Sequence, residues 1–282
     1  MRTVIKFAGA LLEDEAMVGE LARHVATLAK HGHEILVVHG GGRAFTATLK
    51  RMGLESKFVS GLRVTDGETR DAAVMVFGGL LNKRLAGAIS AAGQPAIGIS
   101  AADANCFTAA PLVHNDVEGG LGYVGYLTAV NTPFFESLWR EKLLPVASCL
   151  GLGGDGELYN INADHMAAAS AEFIRAEQLI YLTDVPGVLD GEKVLSAISC
   201  EQIDQLVQSR VVSGGMVLKL EAAKRAVEGG VRQVHIVGGN SAAAALAPSL
   251  FESAATTSFS ERPGTRVLRH MFSAEHATAS SY

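Results

Sequence analysis

Short runs of apolar, mostly β-branched residues alternate along this chain with segments whose apolar residues recur every three or four positions. The first kind of run is typical of a buried strand, and the second is typical of a helix with one face packed on a core. Met17, Leu21, Val25 and Leu28 illustrate the helical spacing. We predict strands at 3–5, 35–38, 96–100, 144–148, 178–182 and 233–237, and helices at 17–28, 44–52, 69–92, 164–175, 200–208 and 216–228.

Strands that alternate with helices predict an α/β protein in which helices cover both faces of a parallel sheet. Residues 107–130 interrupt the alternation with turn-forming residues and short β segments, which we interpret as a hairpin outside the main sheet. We predict a single domain in two lobes, an N-lobe over 1–177 and a C-lobe over 178–269, followed by a flexible tail at 270–282.

The composition narrows the class of protein. The chain has 282 residues and a formal net charge of −5, so it lacks the basic footprint of a nucleic-acid-binding protein. Cys106, Cys149 and Cys200 are widely spaced and form no CxxC pair, which favours a reduced protein with cysteines in its core. The N-terminus leads directly into a strand, and no apolar run reaches the roughly 20 residues that span a bilayer. We therefore expect a cytoplasmic protein without membrane partners.

Three consecutive glycines follow the predicted strand at 35–38. Gly40, Gly41 and Gly42 stand where a helix should begin, immediately after His39. Glycine allows backbone N–H groups to approach a ligand closely, and a helix N-terminus favours negative charge. The segment is typical of a loop that holds a phosphate or another anion, although glycine clusters also form ordinary turns.

Three further polar clusters stand at strand ends or helix starts, where open α/β sheets bind their ligands. They contain Lys6 with Gly9, then Asn160 with Asn162 and Asp164, and finally Lys219. Taken singly, each has an ordinary explanation: the lysines are typical of solvated surface residues, and Asp164 is typical of a carboxylate in the first turn of a helix. Taken together, two cations, N–H donors and one carboxylate meet the needs of phosphoryl transfer. No GxxxxGK[ST] segment and no HRD or DFG motif occurs, so a different phosphotransferase fold is needed.

Seven segments in register resemble the motifs of the amino acid kinase family over nearly the whole chain. They lie at 6–12, 38–42, 61–65, 121–125, 160–164, 182–188 and 215–219. The resemblance implies a three-layer αβα sandwich with a central, mainly parallel sheet, known as the amino acid kinase or carbamate kinase-like fold. It also implies ATP-dependent phosphorylation of the side-chain carboxylate of N-acetyl-L-glutamate in arginine biosynthesis. ATP would be the co-substrate, and Mg²⁺ would be carried with it.

The resemblance further implies roles for individual residues. Lys6 and Lys219 would contact the ATP phosphates, and Asp164 would hold both lysines in position. Arg63 would bind the α-carboxylate of the amino-acid substrate through its guanidinium fork. Other substrate contacts would come from Gly41, Gly42, Asn160 and Asn162. The nucleotide would contact Gly9, Thr183, Asp184, Val185, Pro186, Gly187, Val188, Leu189, Val211, Val212 and Ser213, with no protein ligand to the metal.

The sequence leaves open both the substrate and whether the protein acts as an enzyme or as a regulator. A sibling kinase that acts on carrier-linked aminoadipate or glutamate, or on N-succinylglutamate, fits the same family pattern. A weakly catalytic, ligand-binding regulatory protein is a third interpretation, which only Ala8 favours. The family pattern also predicts a homodimer. His39 is not expected to act as a base, because a carboxylate already ionised near pH 7 needs none.

The first loop departs from the family pattern Lys-x-Gly-Gly, since Ala8 stands in place of the first glycine. If position 8 adopts a left-handed backbone angle, the alanine costs roughly 1–2 kcal/mol. If the loop needs only space, the methyl group crowds a phosphate. Both reasons predict modestly weaker ATP binding or turnover rather than inactivity.

Overall fold

The computed structural model describes residues 1–113, 120–239, 246 and 263–270. The strands are β1 (Arg2–Phe7), β2 (Glu34–His39), β3 (Phe58–Val59), β4 (Leu62–Arg63), β5 (Ala96–Ile99), β6 (Phe107–Pro111), β7 (Gly125–Val130), β8 (Leu144–Ser148), β9 (Leu150–Gly153), β10 (Leu158–Asn160), β11 (Gln178–Thr183), β12 (Leu189–Asp190), β13 (Lys193–Val194), β14 (Ala197–Ser199), β15 (Gln233–Gly238) and β16 (Thr265–Leu268). The α-helices are α1 (Glu15–Lys30), α2 (Gly42–Arg51), α3 (Gly67–Ala73), α4 (Asn82–Ala91), α5 (Thr132–Arg140), α6 (Ala163–Phe173), α7 (Cys200–Gln208) and α8 (Gly215–Glu228).

Eight strands form the central sheet in the order β14, β16, β15, β11, β1, β2, β8, β5. Neighbours pair in parallel except β15 and β16, which are antiparallel. Side chains of a strand alternate between the two faces, so Val4 packs with α6 and α8 whereas Ile5 packs with α1 and α4. The predicted three-layer αβα sandwich with a mainly parallel sheet is therefore confirmed.

The predicted helix at 69–92 is one continuous helical stretch, Gly67–Ala91, in which α3 and α4 flank a π-helical segment, Val74–Leu81. By length and composition this stretch could cross a membrane. Its longest uninterrupted apolar run covers only 72–81, and half of its most apolar window is buried inside the fold. Phe77, Leu81 and Leu85 belong to the hydrophobic core, so the stretch is a core helix of this domain.

A second, smaller sheet contains the hairpin predicted at 107–130. β6 and β7 pair antiparallel, and β9 and β10 complete four strands. The part of the hairpin at 114–119 lies outside the described residues, as do 271–282 of the predicted tail. The two-lobe division at 177/178 stays a prediction, and the main sheet runs across it because β1 pairs with β11.

β1 lies between β2 and β11, so the chain moves to opposite sides of β1 as it builds the sheet. Such a switch in strand order leaves a crevice at the carboxyl ends of the strands, where α/β proteins bind ligands. The loops that follow β1 and β2 contain Gly9 and the three glycines at 40–42, and β11 leads into 184–188. The fold therefore brings three of the seven motif segments, 6–12, 38–42 and 182–188, to one edge of the sheet.

Candidate active site

Two lysines and one aspartate meet at this edge and form what we call the lysine cluster, consisting of Lys6, Asp164 and Lys219. Asp164 Oδ1 lies 2.8 Å from Lys6 Nζ and 2.9 Å from Lys219 Nζ. Lys6 comes from β1, Asp164 from the first turn of α6, and Lys219 from the second turn of α8. Asn162 caps α6, because its Oδ1 accepts hydrogen bonds from the backbone N–H groups of Asp164 and His165. Residues distant in sequence are thus brought together by three elements packed on one sheet face.

The cluster is buried and carries more positive than negative charge. Burial raises the pKa of Asp164, but the neighbouring Lys6 and Lys219 outweigh this effect and hold it well below its usual range. Burial, followed by the charge of Lys6, lowers the pKa of Lys219 to about 8. Tyr181 supports the site from β11, since its hydroxyl donates to the Asp164 carbonyl at 3.2 Å. One carboxylate for two ammonium groups leaves a buried net positive charge, which suits an anionic ligand.

Arg63 is a buried guanidinium group without an acidic partner. It is 8% exposed, and no carboxylate in the described part of the chain forms an ion pair with it. Its Nη2 donates to Thr46 Oγ1 at 2.7 Å, and its Nη1 donates to Ser56 Oγ. Burial lowers the pKa of Arg63. Its Nη2 also lies 3.5 Å from the Gly42 carbonyl oxygen, so its partners in the described part of the chain are neutral oxygens. A buried cation with such neutral partners is well prepared to bind a carboxylate.

Two aromatic rings hold the Arg63 guanidinium in place. Its Cζ lies 4.8 Å from the ring centroid of Phe45 and 4.4 Å from that of Phe58. Phe58 belongs to β3, which pairs with the β4 strand that ends at Arg63. This stacking fixes the plane of the guanidinium fork and therefore the direction from which a carboxylate can approach.

The glycine loops contact each other through their backbones. A Cβ atom on Gly9 would lie 2.7 Å from Gly41 Cα, and one on Gly41 would lie 2.1 Å from Leu81 Cδ1. Neither position has room for a side chain, whereas a Cβ on Gly42 would meet no atom within 4 Å. Close packing therefore holds the two glycine loops against each other. That their backbone N–H groups bind a phosphate stays a prediction.

A cavity of about 220 Å³ joins the lysine cluster to Arg63. Its lining includes Lys6, Gly9, Gly41, Gly42, Arg63, Asn160, Asn162 and Asp164. The substrate-binding residues predicted from the sequence are therefore all found around one space. Their roles towards a ligand stay predictions.

The conformation of Ala8 corrects one expectation. Its backbone angles are φ −65° and ψ 143°, which is ordinary extended backbone. Position 8 has no left-handed angle, so the condition under which alanine would be strained there is not met. The crowding of a phosphate by its methyl group stays a prediction.

The residues predicted to contact the nucleotide lie in two segments beside the lysine cluster. The first runs from Thr183, the last residue of β11, through 184–189, and the second is 211–213 before α8. Asp184 is exposed with its Oδ2 3.5 Å from Arg43 Nη2, and Val188 donates its buried N–H to Thr265 Oγ1 at 2.8 Å. The first segment follows a strand that pairs with β1, which carries Lys6, and the second precedes α8, which carries Lys219. Their contacts with a nucleotide stay predictions.

The described part of the chain offers little for direct metal binding or nucleophilic chemistry. It contains no group of three histidine, cysteine or acidic side chains that could hold a metal ion. The three cysteines are buried and free, and burial raises the pKa of Cys106 and of Cys149 to about 12. The prediction that these cysteines are core residues is confirmed.

Sequence reasoning missed Thr65 as a support of the site. This fully buried residue donates its hydroxyl to the Arg63 carbonyl at 2.8 Å and accepts from Asn160 Nδ2 at 3.2 Å. It thereby links two predicted substrate contacts that are 97 positions apart in the chain. The residue falls within a matching motif, but nothing local in the sequence indicates its partner.

Comparisons with known proteins show the family to which the chain belongs. The sequence profile of the amino acid kinase family matches residues 1–238. The chain is 50% identical to acetylglutamate kinase of Koribacter versatilis over 90% of this chain and 95% of that protein. It is 44% identical to acetylglutamate kinase of Acidobacterium capsulatum, over 84% and 90% of the two chains. The crystal structure of smu.665 from Streptococcus mutans covers 95% of this chain and 99% of its own, with a TM-score of 0.79 and 26% identity. This chain belongs to the amino acid kinase family.

Proposed function

We propose that this protein transfers the γ-phosphoryl group of ATP to the side-chain carboxylate of N-acetyl-L-glutamate, as a step of arginine biosynthesis in the cytoplasm. The observation that carries the proposal is the cavity between a buried net positive cluster and a buried arginine without an acidic partner. The end of the cavity at the lysine cluster suits a phosphate, and the end at Arg63 suits a carboxylate. Relatives at 50% and 44% identity that are named acetylglutamate kinase support this choice of acceptor.

The lysine cluster supplies the electrostatic part of the mechanism. Lys6 and Lys219 donate N–H bonds to phosphate oxygens, and their charge stabilises the phosphoryl group in flight. Asp164 holds both ammonium groups in position. An oxygen of the acceptor carboxylate attacks the γ-phosphorus, the bond to the β-phosphate oxygen breaks, and ADP leaves with its electron pair. No general base is needed, because the attacking carboxylate is ionised near pH 7.

Arg63 and Asn160 orient the acceptor. The Arg63 fork binds the α-carboxylate, and its stacking between two rings leaves little freedom for other approaches. Thr65 directs its hydrogen to the Arg63 carbonyl, so Asn160 Nδ2 donates to the Thr65 oxygen. Asn160 Oδ1 is left as an acceptor at the cavity, which suits an amide N–H of an acylated amino acid. The same geometry disfavours a substrate that has no N–H group opposite Asn160 Oδ1.

The C-lobe binds the nucleotide and the N-lobe binds the acceptor. The segments 183–189 and 211–213 contact adenine and ribose, and Gly9 contacts the phosphates. Mg²⁺ arrives with ATP, since Asp164, the carboxylate of the lysine cluster, is already engaged by both lysines. When bound, the ion supplies charge neutralisation at the phosphate oxygens.

The protein forms a homodimer. Met75 and Leu80 are 55% and 43% exposed on the π-helical segment of a stretch that is otherwise part of the core. A second copy of the chain would cover these apolar side chains. Light scattering tests this proposal: we expect twice the chain mass, and a Leu80→Glu variant should shift the mass toward that of one chain. A monomeric mass for the unaltered protein would contradict it.

The assay of ADP release with N-acetylglutamate, N-succinylglutamate and aminoadipate tests the reaction, with hydroxylamine added to trap any acyl phosphate. We expect product with the first acceptor. Lys219→Met should reduce turnover at least about 100-fold, because a donor to the transferring phosphoryl group is lost. Lys224→Met is the matched control, since it removes a lysine of the same helix that pairs with Asp204 at the surface. ATP binding without product from any acceptor would favour the regulatory interpretation.

A further inference from the structure

His39, the residue before the three glycines, takes part in a buried hydrogen-bond chain. It is fully buried at the end of β2, and its Nδ1 lies 3.0 Å from the Gly40 carbonyl oxygen. Its Nε2 lies 3.2 Å from Nδ2 of Asn82, a fully buried residue that begins α4. The Asn82 Nδ2 also donates to the Val146 carbonyl at 2.9 Å. These hydrogen bonds thus connect β2, β8, α4 and the glycine loop.

The partners decide where the protons are. A carbonyl oxygen can only accept, so His39 Nδ1 must carry the hydrogen that Gly40 receives. The Val146 carbonyl likewise requires an N–H group, which fixes the orientation of the Asn82 amide. The second Nδ2 hydrogen has His39 Nε2 at 3.2 Å as its nearer acceptor, and the Ile99 carbonyl oxygen lies further away at 3.5 Å. A neutral ring that is protonated at Nδ1 leaves Nε2 free to accept this hydrogen. Burial lowers the pKa of His39 to about 4, which agrees with a neutral ring.

This arrangement costs stability. The Asn82 Oδ1 atom is buried without a hydrogen-bond partner among the described residues. A Cβ atom on Gly98 would lie 2.1 Å from Asn82 Oδ1, so only a glycine at position 98 leaves room for the Asn82 amide. A buried acceptor without a hydrogen bond is unfavourable, because it has lost its hydration and gained no partner. An apolar side chain at position 82 would avoid that cost, which suggests that the amide is present for another reason.

We propose that Asn82 and His39 are positioning residues that set the orientation of the Gly40 to Gly41 peptide at the phosphoryl-transfer site. His39 binds the Gly40 carbonyl, and a planar trans peptide then points the Gly41 N–H in the opposite direction, away from the ring. Leu81, the neighbour of Asn82, packs over Gly41. The helix therefore controls the loop at two adjacent residues, and the Gly41 N–H is held ready for a phosphate oxygen. This inference rests on the proposed kinase function.

The comparison of Asn82→Leu with Gln94→Leu tests the proposal. Gln94 is the matched control, since it is a buried amide that donates to the Pro95 and Lys142 carbonyls at the opposite end of the sheet. Both variants should fold, with similar shifts in thermal unfolding. We expect Asn82→Leu to lower kcat about tenfold or more while KM for N-acetylglutamate changes less than about threefold, because the donor acts in the transition state. Gln94→Leu should keep kcat within about twofold.

Two further measurements separate positioning from packing. His39→Asn keeps a donor near the Nδ1 position and should retain more kcat than His39→Leu. Long-range ¹H–¹⁵N spectra of histidine-labelled protein at pH 7 should show the ring protonated at Nδ1 and bare at Nε2. A proton on Nε2, equal losses in His39→Asn and His39→Leu, or equal losses in Asn82→Leu and Gln94→Leu would each overturn the inference. A failure of the kinase proposal is distinguishable, because the unaltered protein would then be inactive with every acceptor.

Discussion

The substitution Asp164→Asn removes the only negative charge of the lysine cluster with almost no change of shape. Asp164 Oδ1 attracts each ammonium group by ~6 kcal/mol at 2.8 and 2.9 Å when the effective dielectric constant is about 20. The two Nζ atoms are no further apart than the sum of those distances, about 5.7 Å. Their mutual repulsion is then at least ~3 kcal/mol at the same dielectric constant. Desolvation of the three buried charges offsets much of the Coulombic attraction that the carboxylate provides. We therefore expect its removal to lower the free energy of unfolding by about 3–5 kcal/mol in total.

The loss should depend on pH with a definite sign. Without the carboxylate, the pKa of Lys219 falls further below the value of about 8 that it has beside Asp164. The folded variant therefore binds fewer protons than the folded parent between that lower pKa and pH 8. Consequently, the destabilisation is largest near pH 6 and shrinks as the pH rises toward 9. Turnover should fall about 10²–10³-fold, because both cations lose their positioning group.

Denaturant unfolding at pH 6 and pH 9 measures this prediction. Asp204→Asn is the control, because it breaks another aspartate–lysine pair, between Asp204 and Lys224, whose side chains are 52% and 27% exposed. A surface pair of this kind contributes about 0–1 kcal/mol. Equal destabilisation by the two substitutions, or a loss for Asp164→Asn that grows with pH, would refute the electrostatic account of the cluster.

Further substitutions and a pH profile test individual residues of the site. Arg63→Lys should raise KM for the acceptor about tenfold or more in steady-state assays, because an ammonium group cannot reproduce the stacked fork. The value of kcat/KM for ATP should be level below pH 8 and decline above it as Lys219 loses its proton, which rate measurements from pH 6 to 10 will show. Gly9→Ala should lower thermal stability and turnover together, because its Cβ would lie 2.7 Å from Gly41 Cα. Ala8→Gly, assayed beside it, relieves no backbone strain, so any rise in its turnover or ATP affinity would come from removing the methyl group that is predicted to crowd a phosphate.

The central sheet could be predicted because most of its strands are continuous apolar runs in the sequence. β2, β8 and β11 lie within a residue or two of their predicted bounds, since a strand buried on both faces needs continuous apolar residues. In contrast, α5 and the strands β9 and β10 were not predicted. β10 has three residues and pairs with β9 across a tight turn, so its formation depends on tertiary contacts rather than on a local pattern.

The candidate site divides in the same way. The sequence by itself determined which chemical groups are present and in what order, and the matching motif segments identified Lys6, Arg63, Asp164 and Lys219. Only the tertiary structure decided that one carboxylate oxygen contacts both ammonium groups, and that Arg63 is buried with no acidic partner among the described residues. These properties depend on distance and desolvation, which arise when remote segments pack together.

His39 shows the difference most clearly. By sequence it was an inert residue beside a glycine loop, and no base was needed from it. In the fold, its ring connects the Gly40 carbonyl to the side chain of Asn82, which lies 43 positions further along the chain. A sequence records that a histidine and an asparagine are present. Whether they share a hydrogen bond, and which atom carries the proton, is decided by the backbone carbonyls that surround them after folding.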